Sequence, residues 1–120
     1  MSALTQANFN SPQETRNFAP PQSGHVELVA DGTIGRGTFN PGWQWSKNVK
    51  PIAGTELCEA AHACYFISGR MMVEAEDGTR IEYGPGDVAT MDPGHDAWVV
   101  GNEPCVVVDW AGFTSYAKPA

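Results

Sequence analysis

The residues of this chain that could do chemistry are concentrated in one short segment. Glu56, Cys58 and His62 lie at even spacings, with Cys64 two residues further on. We interpret this segment as an extended strand, in which alternate side chains share a face, so all four residues would point the same way. Carboxylate oxygen, thiolate sulfur and imidazole nitrogen are all ligands of zinc and related ions. The spacing therefore indicates the donors of a metal site.

The composition fits one small globular domain. A chain of 120 residues, 42% of them hydrophobic, has room for a single core. Thirteen glycines and nine prolines stand between short apolar runs, which favours many turns joining many strands. The net charge of −7 without a basic cluster argues against nucleic acid and membrane surfaces as partners. No apolar run reaches the length of a transmembrane helix, and residues 1–22 lack the apolar stretch of a secretory signal.

The cysteine count indicates the redox compartment. Cys58, Cys64 and Cys105 are an odd and sparse set for a secreted protein built on disulfides. We therefore predict reduced thiols and a cytoplasmic location. Cys64 and Cys105 lie among hydrophobic neighbours and are predicted to be small buried apolar residues.

The chain divides into three parts. We predict a flexible or extended N-terminal arm over 1–22, one barrel domain over 23–116 and a C-terminal tail over 117–120. Asp77-Gly78 predicts a two-residue hairpin, and no segment over ten residues keeps a helical period. The pattern predicts an all-β fold, a closed or double-sheet antiparallel barrel. The predicted strands are 25–30, 34–39, 43–49, 56–67, 70–76, 79–83, 87–91, 96–101 and 104–110.

Two stretches resemble the motifs of the cupin family, whose members are small jelly-roll barrels that commonly hold one metal ion. Tyr65-Phe66-Ile67-Ser68-Gly69 is similar to the end of the family's first motif. Residues 84–94 (Gly-Pro-Gly-Asp-Val-Ala-Thr-Met-Asp-Pro-Gly) are similar to the Gly-Asp turn, strand and Pro-Gly turn of the second. The resemblance covers the chain from about Gly35 to Trp110 and implies an antiparallel double-stranded β-helix, or jelly-roll barrel.

The resemblance also implies a ligand set, but all four of its positions have changed identity. The family's glutamate position falls on His62, and its two first-motif histidine positions fall on Glu56 and Cys58. The last histidine position falls on Ala97, with His95 two residues earlier. Because a position that has lost its metal usually holds leucine or valine, the exchanged donors indicate a rearranged site. We predict Cys58, His62, His95 and Glu56 as metal ligands.

The donor set leaves both the ion and the openness of the site undecided. One thiolate and two imidazoles, with or without a carboxylate, suit Zn²⁺ best, while Fe, Ni, Cu and Mn remain possible. Without Glu56 the site keeps an open position; with it, the site is closed and structural. The alternatives are a core histidine at 62, an exposed turn histidine at 95 and a buried apolar cysteine at 58. Asp96 either orients the His95 imidazole or is solvated.

Four aromatic residues predict a pocket for a small apolar or planar molecule: Trp43, Trp45, Phe66 and Trp98. The alternative for each tryptophan is that it seals a barrel end or a subunit contact.

Two functions follow from the sequence and its resemblance. One is a small metalloenzyme acting on an organic substrate; the other is a non-catalytic binding or sensing cupin with a structural metal or none. We expect a homodimer, to which the N-terminal region could supply an edge strand.

Overall fold

Two antiparallel sheets enclose one hydrophobic core in the computed structural model, which describes residues 4–20, 23–114 and 116–118. The six-stranded sheet has the order β1-β2-β3-β9-β4-β7, and the three-stranded sheet has the order β6-β5-β8. The strands are β1 Glu14–Asn17, β2 Gly24–Val29, β3 Ile34–Phe39, β4 His62–Ser68, β5 Arg70–Ala75, β6 Arg80–Tyr83, β7 Val88–Met91, β8 His95–Val100 and β9 Cys105–Asp109. The helices are α1 Trp45–Asn48 and α2 Lys50–Ala53. The predicted all-β fold with little helix is confirmed.

Alternation along three strands decides which side chains reach the interior. Successive side chains of a strand point to opposite faces, so every second residue is buried. Along the first part of β4 and the whole of β8 and β9 the buried positions follow this period. The buried residues are His62, Cys64 and Phe66 on β4, His95, Ala97 and Val99 on β8, and Cys105, Val107 and Asp109 on β9. Two imidazoles and a carboxylate therefore enter an otherwise apolar core.

The predicted strand over 43–49 is wrong, because this segment turns into α1. The side-chain oxygen of Asn48 accepts a hydrogen bond from the Gln44 backbone N–H, 2.9 Å away, which favours a helical turn at this point. Pro51 lies in the first turn of α2, where its missing N–H costs no helical hydrogen bond. Trp43 and Trp45 consequently do not alternate along one strand.

The predicted strand over 56–67 begins only at His62. Gly54 ends α2 in the left-handed conformation (φ 79°), and the following residues form a turn and an extended connection. Cys58 lies in this connection, where it forms an isolated β-bridge with His95. Cys58 and His62 therefore do not share the face of one strand, and their proximity has another cause.

The predicted hairpin at Asp77-Gly78 is present, with a longer loop than two residues. The Gly78 N–H donates to the Ala75 carbonyl at 2.9 Å, and the Ala75 N–H donates to the Thr79 carbonyl at 2.8 Å. Gly78 has a φ of 90°, which glycine adopts without the clash that a Cβ would cause. The turn joins β5 to β6.

The N-terminal region contributes a strand to its own chain. β1 pairs with β2 at the edge of the six-stranded sheet, and Phe18 is buried immediately after it. Residues 4–13 are mostly exposed. Residues 1–3 and 21–22 of the predicted arm, and 119–120 of the predicted tail, lie outside the described residues. No helix of the described chain is long and apolar enough to cross a membrane.

Candidate metal centre

Three of the four predicted ligands meet at one end of the barrel. One ligand atom from each of Cys58, His62 and His95 lies within 4.8 Å of the other two, and all three residues are buried. The Cys58 Sγ is 3.6 Å from the His62 Nε2. The two imidazole rings are 5.3 Å apart between centroids.

Backbone hydrogen bonds connect the elements that carry these residues. His62 begins β4 in the six-stranded sheet, and His95 begins β8 in the three-stranded sheet. The Cys58 N–H donates to the His95 carbonyl at 2.9 Å, and the Gly94 N–H donates to the Cys58 carbonyl at 2.7 Å. The cysteine is thus placed beside the second histidine by long-range pairing rather than by local strand geometry.

Asp109 orients the His62 ring. Its Oδ2 is 2.6 Å from the His62 Nδ1, and its Oδ1 accepts from the N–H groups of Ala111 at 2.7 Å and Gly112 at 2.6 Å. Because every other contact of this fully buried carboxylate is a donor, we assign the ring hydrogen of His62 to Nδ1. The Nε2 lone pair then faces Cys58 and is free to bind a cation.

A backbone carbonyl fixes the His95 ring in the same tautomer. The His95 Nδ1 is 2.8 Å from the Asp92 oxygen, which can only accept, so Nδ1 carries the hydrogen and Nε2 is free. Burial lowers the pKa of His95 and favours the neutral ring that a metal needs. Asp96, for which the sequence left open an orienting role or a solvated position, accepts hydrogen bonds from the Gln44 side chain and the Ser46 N–H.

The surroundings of the thiol are negatively charged. Burial raises the pKa of Cys58 to about 11, and the carboxylates of Glu59, Asp109 and Asp96 act in the same direction. Among the described residues, no arginine or lysine lines the cavity beside the two imidazoles. A cation at this point would be attracted by the carboxylates and would favour the thiolate.

The distance between the Cys58 sulfur and the His62 Nε2 fits a shared zinc ion. Bond lengths of about 2.3 Å to sulfur and 2.0–2.1 Å to nitrogen place a sulfur and a nitrogen about 3.6 Å apart in a tetrahedral site. The Cys58 Sγ and His62 Nε2 are 3.6 Å apart. These donors therefore suit a bound ion without rearrangement of this pair.

The structure does not bring Glu56 to the other three residues. Its side chain is 91% exposed, and its Oε2 lies 2.8 Å from the Lys50 Nζ. The turn after α2 replaces the predicted strand at this position, so the alternation that would have directed Glu56 inward is absent. The cluster thus has three protein donors among the described residues.

The four predicted pocket aromatics occupy different places. Trp43 and Phe66 are buried and line a cavity of about 30 Å³ beside His62 and His95. Trp45 lines a separate pocket outside the barrel. Trp98 lines neither of these, and its ring lies 5.3 Å from the Arg80 guanidinium carbon.

Two further aromatic residues, absent from the sequence prediction, close the site. The rings of Phe113 and Tyr116 lie 5.7 and 5.5 Å from the His62 ring between centroids. The Arg16 Nη1 donates to the backbone oxygens of both, at 3.2 and 2.8 Å. Asp109 was also missed, although the alternation Cys105-Val107-Asp109 in an apolar strand could have revealed an inward carboxylate.

The family assignment rests on a match across the strands just described. A family model for the EutQ-like cupin domain matches residues 49–110, more than half of the chain. The protein is a cupin. A search of curated proteins found no match to this cupin.

Solved structures share the fold of this cupin at low sequence identity. One is a sugar phosphate isomerase of a cupin superfamily, from Silicibacter pomeroyi. It has a TM-score of 0.60 and 16% identity over 88% of this chain and 73% of that one. The oxalate decarboxylase of Lactobacillus farciminis has a TM-score of 0.57 and 16% identity over 84% of this chain and 32% of that one. The Drosophila melanogaster CENP-C cupin domain has a TM-score of 0.56 and 12% identity, over 90% and 84%. These likenesses confirm the predicted double-stranded β-helix.

Proposed function

We propose that this cupin binds one divalent metal ion through Cys58, His62 and His95, and that the centre binds or transforms a small organic molecule. The observation that carries the proposal is the disposition of the donors. Both rings use Nδ1 as a hydrogen-bond donor, which leaves two Nε2 atoms and one sulfur available within 4.8 Å of one another. A bound ion would supply Lewis-acid chemistry.

Zinc is the ion that the donor types favour. A thiolate beside two neutral imidazoles is a borderline-soft set, which zinc accepts in tetrahedral geometry. Iron, nickel and copper also bind imidazole, whereas manganese prefers oxygen donors. With Glu56 remote from the cluster, three protein ligands leave a tetrahedral ion with one position open, as in catalytic zinc sites.

The chain's own groups hold the two imidazole donors. Asp109 and the Asp92 carbonyl fix the two rings, so little reorganisation is needed when an ion binds. Phe113 and Tyr116 pack edge-on against the His62 ring. The two imidazoles are therefore held in place before an ion binds.

A non-catalytic binding or sensing role is the second candidate. The small cavity beside the imidazoles contains no carboxylate other than Asp109, which is fully committed to His62, Ala111 and Gly112. The remaining lining is mainly apolar or aromatic. The other titratable side chains of the described cavity wall are Cys64 and Tyr116, and burial raises the pKa of both, which favours binding over proton-transfer chemistry.

The order Cys58–His62–Asp109 is also that of a thiol nucleophile, its base and an orienting acid. A nucleophilic cysteine normally has a lowered pKa and partial exposure. Cys58 is 2% exposed, and burial raises its pKa to about 11. The environment therefore favours a metal ligand over a nucleophile.

We further propose that the protein is cytoplasmic and forms a homodimer. All three cysteines are unpaired, which supports a reducing compartment. Tyr65, Ile67 and Val88 are exposed on neighbouring strands β4 and β7, where Tyr65 pairs with Val88. An apolar patch of this kind supports contact with a second copy of the chain.

Elemental analysis of the purified protein tests the metal site. We expect close to one equivalent of metal per chain, and its loss in Cys58→Ser, His62→Ala and His95→Ala, because each removes one of three ligands. Glu56→Gln is the matched control and should retain the metal, since Glu56 is bound to Lys50 at the surface. Full metal content in the three ligand variants, each shown to be folded by circular dichroism, would contradict the proposal.

A further inference from the structure

Two spaces of very different size adjoin the metal centre. The inner cavity, inside the barrel, measures about 30 Å³ and is lined by His62 and His95. The outer pocket, on the surface, measures about 340 Å³ and has Cys58 in its wall. The other residues of the outer pocket are Trp45, Val49, Ala53, Thr55, Glu59, Ala60, Tyr116, Ala117 and Lys118.

The inner cavity is too small for an organic molecule. A water molecule needs about 10–15 Å³ of such a cavity, so the inner cavity has room for about two or three. Phe39, Trp43, Phe66 and Phe113 fill the remainder of the interior around it, each at most 3% exposed. The barrel interior, where the sequence predicted substrate contacts at Trp43 and Phe66, therefore accepts only small species such as water.

The outer pocket lies directly over the same centre. Cys58 belongs to its wall, and Tyr116 lines both the outer pocket and the inner cavity. The Tyr116 ring packs edge-on against His62, with 5.5 Å between centroids. Tyr116 thus lies between the two spaces and packs against one of the two imidazoles, that of His62.

The charges around the outer pocket select its occupant. Its wall combines the apolar side chains of Val49, Ala53 and Ala60 with the acidic Glu59 at the rim. Lys118 is the basic residue of the same wall. One acid and one base on a mainly apolar wall give no net charge to hold an ion, so the pocket favours a neutral ligand.

We propose that the outer pocket is the binding site for a neutral organic molecule of one ring or two fused rings, which reaches the metal past Tyr116. The proposal rests on the metal function proposed above and adds the route and the ligand class. A volume of about 340 Å³ is at the lower end of the range for small-molecule sites, which limits the ligand to this size.

A third space is the rival route. The side pocket measures about 210 Å³ and reaches His95 between β5, β6 and the β7–β8 turn. Of the three metal ligands it contacts only His95, and Tyr116 is not part of it. The outer pocket is larger and has Cys58 in its wall, so we assign the ligand to it.

Spectroscopic titration of the cobalt-loaded protein with benzimidazole tests this assignment. Ala53→Trp fills the outer pocket, and Thr79→Trp, on the exposed edge of the side pocket, is the matched control. We expect benzimidazole to shift the cobalt absorption bands of the natural protein and of Thr79→Trp, and at least tenfold weaker binding to Ala53→Trp. Ala53→Met serves as a milder filling variant and should weaken binding in the same direction. NMR shifts of the Ala53 and Ala60 amides in the zinc-loaded protein report occupancy without reference to metal spectra.

The outcomes separate this proposal from the metal function. Unchanged binding by Ala53→Trp and Ala53→Met, or a loss confined to Thr79→Trp, would overturn the outer-pocket assignment while the metal site stands. A shift of the cobalt bands without NMR shifts at Ala53 and Ala60 would also overturn it. Failure of the natural protein to bind cobalt through Cys58, seen as absence of a thiolate-to-cobalt charge-transfer band, would instead refute the metal function on which the assignment rests.

Discussion

At the scale of single residues, the least expected feature is a buried carboxylate that has no arginine or lysine partner in the part of the chain that the structure describes. Asp109 is fully buried and makes three hydrogen bonds, two to backbone N–H groups and one to His62. Burial of an unpaired charge is costly unless hydrogen bonds compensate it. The three hydrogen bonds offset this cost, and they place the carboxylate next to a ring that would bind a cation.

We predict that Asp109→Asn lowers zinc affinity about 10- to 100-fold, the usual effect of losing an orienting partner. An asparagine oxygen can still accept from Ala111 and Gly112, but its NH₂ group would then face the His62 Nδ1. Two donors would oppose each other, so the ring hydrogen would move to Nε2 and block the metal. Chelator competition measures the affinity, and NMR of His62 measures the tautomer. Asp96→Asn, which has no imidazole partner, is the control; an equal loss there would contradict the orienting role.

A second residue-scale prediction concerns alkaline pH. Burial raises the pKa of Cys105 to about 12, against 9.0 for an ordinary thiol. Above pH 9 the unfolded chain releases this proton and the folded chain keeps it, so the free energy of unfolding falls as pH rises between these values. Between pH 8 and pH 10, we expect the free energy of unfolding to fall by about 1 kcal/mol less in Cys105→Ala than in the natural protein. Urea denaturation at both pH values checks this; identical losses would refute it.

At the scale of elements, the segment after β9 packs closely against His62 of the Cys58–His62–His95 cluster. A Cβ added at Gly112 would collide with the His62 Nδ1 and lie 2.5 Å from the Ala61 oxygen. Only glycine permits this approach. The same segment continues to Phe113 and Tyr116, whose backbone oxygens accept from Arg16 on β1.

We therefore predict that Gly112→Ala displaces His62, weakens zinc binding at least tenfold and costs about 1–3 kcal/mol of folding stability, as overpacking usually does. Calorimetric zinc titration and thermal unfolding measure the two effects. Ala111→Gly, at the exposed neighbouring position, tests chain flexibility without the collision and should leave zinc affinity unchanged. Normal affinity in Gly112→Ala would show that the close fit is unimportant.

The elements also show why part of the site was predictable. Alternation correctly placed His62 inward because β4 is a regular strand there. Cys58 was placed beside His62 on the assumption of one continuous strand, yet its position depends on a bridge to His95, 37 positions along the chain. Such a long-range bridge has no local sequence signal. The prediction that Glu56 points inward is wrong for the same reason, since no described strand pairs with its segment.

Two further features were not predicted from the sequence: the helical turns after Trp43 and the aromatic residues that cover His62. The segment 43–49 is rich in tryptophan, which favours strands, but the Asn48 side chain and Pro51 support helical turns instead. Phe113 and Tyr116 follow the last strand without periodicity, so only tertiary packing shows that they cover His62. The sequence thus indicated three side chains that the structure brings together, Cys58, His62 and His95, but not the residues that cover them.

At the scale of the whole molecule, the outer face of the six-stranded sheet leaves an apolar patch formed by Tyr65, Ile67 and Val88, exposed by 43%, 46% and 65%. We predict that this patch is the homodimer contact and that Tyr65→Glu yields a monomer in sedimentation-velocity experiments. Ile34→Glu, an equally apolar position at the start of β3 that is 36% exposed, should leave the dimer intact. A natural protein that sediments as a monomer would refute the prediction.

The bridge between Cys58 and His95 also has a mechanical consequence. Cys58 lies between α2 and β4, outside both sheets, and the bridge ties it to the first residue of β8 in the three-stranded sheet. An ion shared by Cys58, His62 and His95 would link the start of β4 in the six-stranded sheet to this point, where Cys58 makes two backbone hydrogen bonds to Gly94 and His95. Loss of the ion would loosen this end of the sandwich first, and amide protons of Cys58 and Gly94 would then exchange with solvent sooner than those elsewhere in the core.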